Sequence, residues 1–244
     1  MFFAVLYVGF ALTSMAITRV VLPGLGVGRV LDPRPLNPHQ VRREIALSAL
    51  SVLIFGVGLL VPWMLIQSGW AEVTLQVPVW RVLAECVVLL LWNDLHFYLH
   101  HRLLHHRLLF QRFHLPHHRS VVTTPWSTYA FHPVEAVLLG SVLIVPMLLW
   151  SFSLAALVAL PILSLTYNSL GHANYQALPV GWRWLSNARS HHLHHACFRG
   201  NYGFLFTFMD RWFGTALPED AADDVISLGL ERAGSTHSGS VSAR

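Results

Sequence analysis

Between Asp94 and Ser120 the chain reads DLHFYLHHRLLHHRLLFQRFHLPHHRS, and eight histidines fall within that one stretch. Two later runs answer it: Gly171–Asn174 (GHAN) and His191–His195 (HHLHH). Of the 16 histidines in the chain, only His39 and His237 lie outside His96–His195. His101 and His105 form an i, i+4 pair, while His114, His117 and His118 run i, i+3, i+4, a form repeated by His191, His194 and His195. Residues three and four apart share a helix face, so each group can aim two or three imidazoles at one spot. Neutral imidazole ligates iron, zinc or copper, at about 2.0–2.1 Å for zinc. Two such clusters facing each other hold more ligands than one ion uses, which argues for two metals.

The rest of the chain says where those clusters sit. Its 244 residues are 54% hydrophobic and 11% charged, with a mean hydropathy of +0.51, a membrane composition. The net charge of +4 does not point to nucleic acid, because the arginines flank apolar spans, where topology places them. Lysine is absent and arginine supplies all 16 basic residues, which suggests GC-rich coding and a bacterial inner membrane. Cys86, in an apolar run, and Cys197, after the last histidine run, are not expected to form a disulfide.

Phe2–Leu22 is long and apolar enough to cross a bilayer. No basic residue precedes it and no small-residue cleavage site follows, so a retained helix is expected rather than a signal peptide. Pro23, Pro33, Pro35 and Pro38 then break any helix across Leu22–Val41, and the nearby glycines Gly24, Gly26 and Gly28 read as a loop. Further spans are expected at Ile45–Gln67 and Val79–His100, then an apolar hairpin of Glu135–Leu149 and Ser153–Leu170 that is either spanning or re-entrant. Arg81 and Glu85, at i, i+4, are suited to pair. Asp94 is placed to support a ligating histidine, since such histidines donate their second N–H to a carboxylate or carbonyl. Pro133 opens a helix with Glu135 in its first turn. Arginines cluster in residues 29–43, 102–119 and 183–211 and avoid 68–77 and the turn near 151. The positive-inside rule therefore puts all the histidine runs on the cytoplasmic side. The expected architecture is all-α: an integral membrane bundle of four or five spans, with a histidine-rich helical cap over a dimetal site. Residues 1–78 form N-terminal transmembrane helices and a basic loop, residues 79–216 the catalytic domain, and residues 217–244 a polar, disordered tail.

The boxes HRLLH, HLPHH and HHLHH resemble the histidine boxes of the sterol desaturase/fatty acid hydroxylase superfamily. Phe131–Glu135 (FHPVE), Asn201-Tyr-Gly and Met209–Thr215 (MDRWFGT) are similar to that family's flanking and closing motifs, and the likeness runs from about residue 90 to 216. It implies an integral membrane enzyme with a histidine-bound diiron centre that uses dioxygen to hydroxylate or desaturate lipids. The implied ligands are His101, His105, His114, His117, His118, His172, His191, His194 and His195. His172 comes from Asn168-x-x-x-His172, which is similar to a fourth box that holds histidine at both ends in some fatty acid hydroxylases. Asn168 departs from that pattern, and Pro116 implies that the helix presenting His117 and His118 begins near it. His96 and His100 are an alternative pair to His101 and His105, and His132 with Glu135 is either a helix-start device or a further ligand.

Breaking an unactivated C–H bond needs a redox metal, so two iron ions, with zinc as a substitute, and dioxygen as co-substrate are expected. The lipid is a fatty acyl, sterol, carotenoid or alkylglycerol type entering from the bilayer. Electrons come from a separate ferredoxin- or cytochrome-type donor with its reductase. The rival readings are a histidine-rich membrane metal transporter, whose ligands belong at mid-membrane, and a metal-dependent lipid hydrolase, which needs no oxygen.

Overall fold

The structure is a computed structural model and describes residues 1–177, 184–218 and 221. Most of the expected 217–244 tail, His237 included, lies outside the described residues. The described chain is helical apart from a two-residue antiparallel ribbon, in which β1 (Arg29–Val30) pairs with β2 (Tyr175–Gln176).

Four helices are long and apolar enough to cross a membrane: α1 (Phe2–Gly24), α2 (Pro38–Gln67), α3 (Val79–Leu104) and α6 (Leu154–Gly171). Their outer faces carry large apolar side chains such as Leu53, Val57, Leu83 and Val87, all more than half exposed. Such faces suit lipid rather than water. This is an integral membrane protein.

α2 starts seven residues before the expected Ile45. The reason is local: Asn37 accepts from the His39 backbone N–H, and Pro38 takes a first-turn position, where its missing N–H costs nothing. Proline therefore opens this helix instead of breaking it, which draws Arg42, Arg43 and Glu44 into its first turns. Glu44, fully buried, accepts from Thr124 Oγ1 at 2.6 Å and from Gln40 Nε2 at 2.8 Å.

The first arm of the hairpin, α5 (Pro133–Leu149), is shorter than the four spans and is interrupted by a tight turn at Ser141–Leu143. It still joins the two ends of the bundle. Its start lies beside the histidines, where Glu135 meets His114, and its end reaches the far loops. There Thr74 N donates to Phe152 O and Leu154 N donates to Thr74 O. Arg81 pairs with Glu85 at 2.8 Å and donates to Ser151 O, while Glu85 accepts from Ser153 N. The two arginine-poor loops thus sit together, at the end opposite the histidine cap.

The cap is built from short pieces. A π-helical turn at Phe110–His114 runs into α4 (Leu115–His118), with Pro116 in its first turn. Across from it stands α7 (Ala188–Cys197), whose Asn187 and Ser190 form a capping box. A final short helix, α8 (Phe208–Trp212), closes the described chain. Cys86 and Cys197 are both free thiols.

Candidate metal centre

The nine histidines implied as ligands come together in two groups. His101, His105, His114, His118 and His194 form one, and His117, His172, His191 and His195 the other; within each, one nitrogen per ring lies within 4.8 Å of the others. The grouping does not follow the boxes. Residues four apart stay together (114 with 118, 191 with 195), whereas His117 and His194 cross to the opposite group. Consecutive helical side chains diverge by about 100°, so neighbours such as His117 and His118 face different centres.

Ring orientation is set from outside. Nδ1–H donates to the Tyr202 carbonyl from His101 (2.9 Å), to Phe198 from His105 (3.1 Å), to Asn168 from His172 (2.9 Å) and to Gly200 from His194 (2.6 Å). A carbonyl only accepts, so each of these rings keeps its Nε2 lone pair for the centre. His114 turns its Nδ1 to the Glu135 carboxylate at 2.8 Å.

The inward nitrogens then crowd. His118 Nε2 lies 3.1 Å from both His105 Nε2 and His114 Nε2, and His191 Nε2 lies 3.1 Å from both His172 Nε2 and His195 Nε2. The Nε2 of His118 or His191 carries at most one hydrogen, and His105 and His172 offer it only lone pairs, so at most one contact in each trio is a well-formed hydrogen bond. Around a shared ion about 2.1 Å away, nitrogens at right angles stand about 3.0 Å apart. His194 Nε2 is buried with no hydrogen-bond partner, which also fits a ligand atom. The donor set, its spacing and its orphaned nitrogen fit two imidazole-bound metal ions.

Electrostatics agree. Burial, then repulsion from neighbouring imidazoles, holds His114, His117, His118, His191, His194 and His195 well below the ordinary histidine range. The same causes take His105 down to about 2. Neutral imidazole is the ligating form.

The closing motifs hold these rings through backbone. Asp210 accepts from Tyr202 N (2.8 Å), Gly203 N (2.7 Å) and Thr215 Oγ1 (2.7 Å). It thereby pins the loop whose Tyr202 carbonyl orients His101. A Cβ on Gly203 would meet Phe206 O at 2.5 Å and Asp210 Oδ2 at 2.8 Å, so this position has no room for a side chain.

The other sequence expectations divide: Asp94 comes out differently, while His132 and Glu135 stand at a helix start as expected. Asp94 touches no ligating histidine; its Oδ1 accepts from Leu205 N (2.6 Å) and Phe206 N (3.0 Å) and ties that loop to α3. The carboxylate that does face a ring is Glu135, read from the sequence only as a helix-start residue. His96 and His100 join neither group: His96 Nε2 lies 3.3 Å from Ser141 Oγ, and His100 Nδ1 bonds the His96 carbonyl. His132 caps α5 by accepting from Val134 N. His192 is buried 3.6 Å from Asp32. Asp32 is itself held by Arg34, whose hydrogen bonds outweigh burial and keep the carboxyl below its usual range. Asn168 donates to Thr128 O at 3.2 Å.

An apolar cavity of about 520 Å³ runs from Phe2, Phe55 and Leu59 on α1 and α2 to Phe97, Phe131 and Asn168 beneath the histidines. Phe97 packs edge-on against the His101 ring at 4.9 Å, and Phe131 lies 5.0 Å from the His117 ring, so these two rings form a boundary between the cavity and the two histidine groups. A smaller cavity of about 180 Å³ reaches His191 from the other side. Phe97, Asn168 and Phe204 border both cavities.

Comparison with known proteins adds a family and relatives. The profile of the fatty acid hydroxylase family matches residues 86–215. A Delta(7)-sterol 5(6)-desaturase of Aspergillus fumigatus is 32% identical over 226 residues, covering 76% of this chain and 66% of that protein. The Delta(7)-sterol 5(6)-desaturase of Saccharomyces cerevisiae is 28% identical over 200 residues, covering 79% of this chain and 53% of the yeast protein. A very-long-chain aldehyde decarbonylase of Oryza sativa is 30% identical over 176 residues, covering 63% of this chain and 26% of the rice protein. The chain spans less than two thirds of the length of each. No solved structure matches significantly.

Proposed function

This chain belongs to the fatty acid hydroxylase family, and on that premise we propose that it is a dioxygen-dependent diiron enzyme that hydroxylates or desaturates a membrane lipid. The observation that carries this reading is an apolar cavity, of a size that suits a ligand, whose Phe97 and Phe131 walls pack against rings of the two histidine groups. The names of the relatives, sterol desaturases and an aldehyde decarbonylase, support lipid oxidation over metal transport or hydrolysis.

In this reading His101, His105, His114, His118 and His194 hold one iron, and His117, His172, His191 and His195 hold the other. The pair supplies the redox chemistry with dioxygen by which an unactivated C–H bond is broken. The protein's part is placement. Lipid enters sideways between α1 and α2, along Phe55 and Leu59. The Phe97 and Phe131 rings flank the carbon presented to the centre and keep bulk water from it. Backbone carbonyls aim His101, His105, His172 and His194 inward, and Glu135 faces the outer nitrogen of His114. The arginine-rich cap faces the cytoplasm, where a separate ferredoxin- or cytochrome-type donor delivers electrons. The arginine-only basic complement favours a bacterial inner membrane.

The test is to express the protein in iron-replete cells, purify it in mild detergent and measure metal per chain and oxygen-dependent conversion of a lipid panel with an added reductase and donor. About two irons per chain and product formed only with oxygen are expected. A single metal would sink the dinuclear reading, and turnover without oxygen would favour a hydrolase.

A further inference from the structure

Resting on the lipid-oxidising reading above, we propose that the apolar cavity recognises a lipid bearing a hydroxyl group on its apolar body, with Asn93 and His96 as the recognition site. The two residues lie three apart on α3, and therefore on one face. Both line the cavity, each only 7% exposed.

Asn93 Nδ2 is buried and has no hydrogen-bond partner. Within a bilayer, among rings and aliphatic chains, an amide N–H without an acceptor carries its full desolvation cost. An oxygen atom on the occupant removes that cost. The tautomer of His96 follows from its neighbour. Ser141 spends its hydroxyl hydrogen on Leu138 O at 2.7 Å, so its oxygen accepts from His96 Nε2–H at 3.3 Å. His96 Nδ1 therefore keeps a lone pair. One donor and one acceptor together match a hydroxyl, which both accepts and donates; a keto oxygen satisfies one of them and a hydrocarbon neither.

The position narrows the substrate further. Asn93 precedes His101 by eight residues on α3, about 12 Å along the helix axis. The recognised hydroxyl then sits deeper in the bilayer than the histidine groups, and the carbon offered to the centre is remote from it. Phe97, one turn on from Asn93, lies between the two positions. Oxidation would thus fall at the opposite end of a molecule that is already oxygenated.

The experiment uses the full chain, iron-loaded in lipid nanodiscs, and displacement of cis-parinaric acid by two matched pairs: cholesterol against 5α-cholestane, and 12-hydroxystearate against stearate. In at least one pair the hydroxylated member should bind about tenfold more tightly, the size of a well-made buried hydrogen-bond pair. Asn93→Leu and His96→Phe should each bring that ratio to within about twofold. No preference in either pair overturns the proposal, and so does a preference that survives both variants. The wild-type comparison needs no variant, so misfolding of a variant does not decide the matter. Iron per chain is read on the same sample. Two irons without preference overturn this site and leave the enzyme reading standing; preference without iron does the reverse.

Discussion

The Glu135 carboxylate reaches His114 Nδ1 at 2.8 Å, and each side chain is only 1% exposed. It is the one carboxylate that meets a ring of either histidine group among the described residues, and it arrives from α5, a helix that supplies no histidine to either group. Glu135→Leu should weaken iron binding about 10–100-fold, while Glu135→Gln, whose amide oxygen still accepts, should lose much less. Competition with a graded chelator series measures both. Equal loss from the two variants would mean that the carboxylate acts by filling space.

Because the boxes interleave, single substitutions should empty the groups separately. His172→Ala and His191→Ala should cost the iron of the four-histidine group and leave about one per chain, and His101→Ala and His105→Ala the other. Metal analysis of the four proteins checks this. Loss of both ions from every variant would show that neither group assembles alone.

Acid should destabilise the protein from a defined starting point. Burial and neighbouring imidazoles hold the clustered histidines well below the ordinary histidine range in the fold, whereas unfolded histidine titrates near 6.5. Below that pH the unfolded chain binds more protons, so stability falls as pH falls. The thermal midpoint in detergent should be flat between about pH 7 and 8 and drop steeply below about 6.5. A midpoint unchanged down to pH 5 would contradict the folded-state assignment.

The loop at Gly203 offers a fourth test. Gly203→Ala must push against Phe206 O and Asp210, displacing the Tyr202 carbonyl that orients His101. A loss of about 1–3 kcal/mol is expected, with iron lost from the five-histidine group before the other. Chemical denaturation gives the first quantity and metal analysis the second. Asp210→Asn should give a milder form of the same defect.

Local spacing made much of this legible. The i, i+3, i+4 spacings mark eight of the nine histidines that the fold gathers, His172 coming from the family resemblance, and the apolar runs mark the spans. Spacing alone did not reveal how the boxes divide, because a helix face is about 100° wide per residue step and only the opposing helix decides which ring meets which. Asp94 holds a loop where the sequence suggests a ligand support, and Glu135 adds the contact with His114 to its helix-start place, for a related reason: a carboxylate's contact depends on which segment lies across from it. For Asp94 that is the loop at Leu205, more than a hundred residues away. The early start of α2 has a local cause: Pro38 reads as a breaker, and the Asn37 cap makes it an opener.

Adjacent histidines that face different groups act as a ruler. The ring centroids of His117 and His118 stand 5.8 Å apart, and those of His194 and His195 stand 5.7 Å apart. Two unrelated segments thus impose the same interval from opposite sides. In the two-ion reading, the spacing of the two histidine groups would follow from this step between neighbouring residues. Exchanging one side chain for another would empty a position and leave the backbone step between the two groups in place.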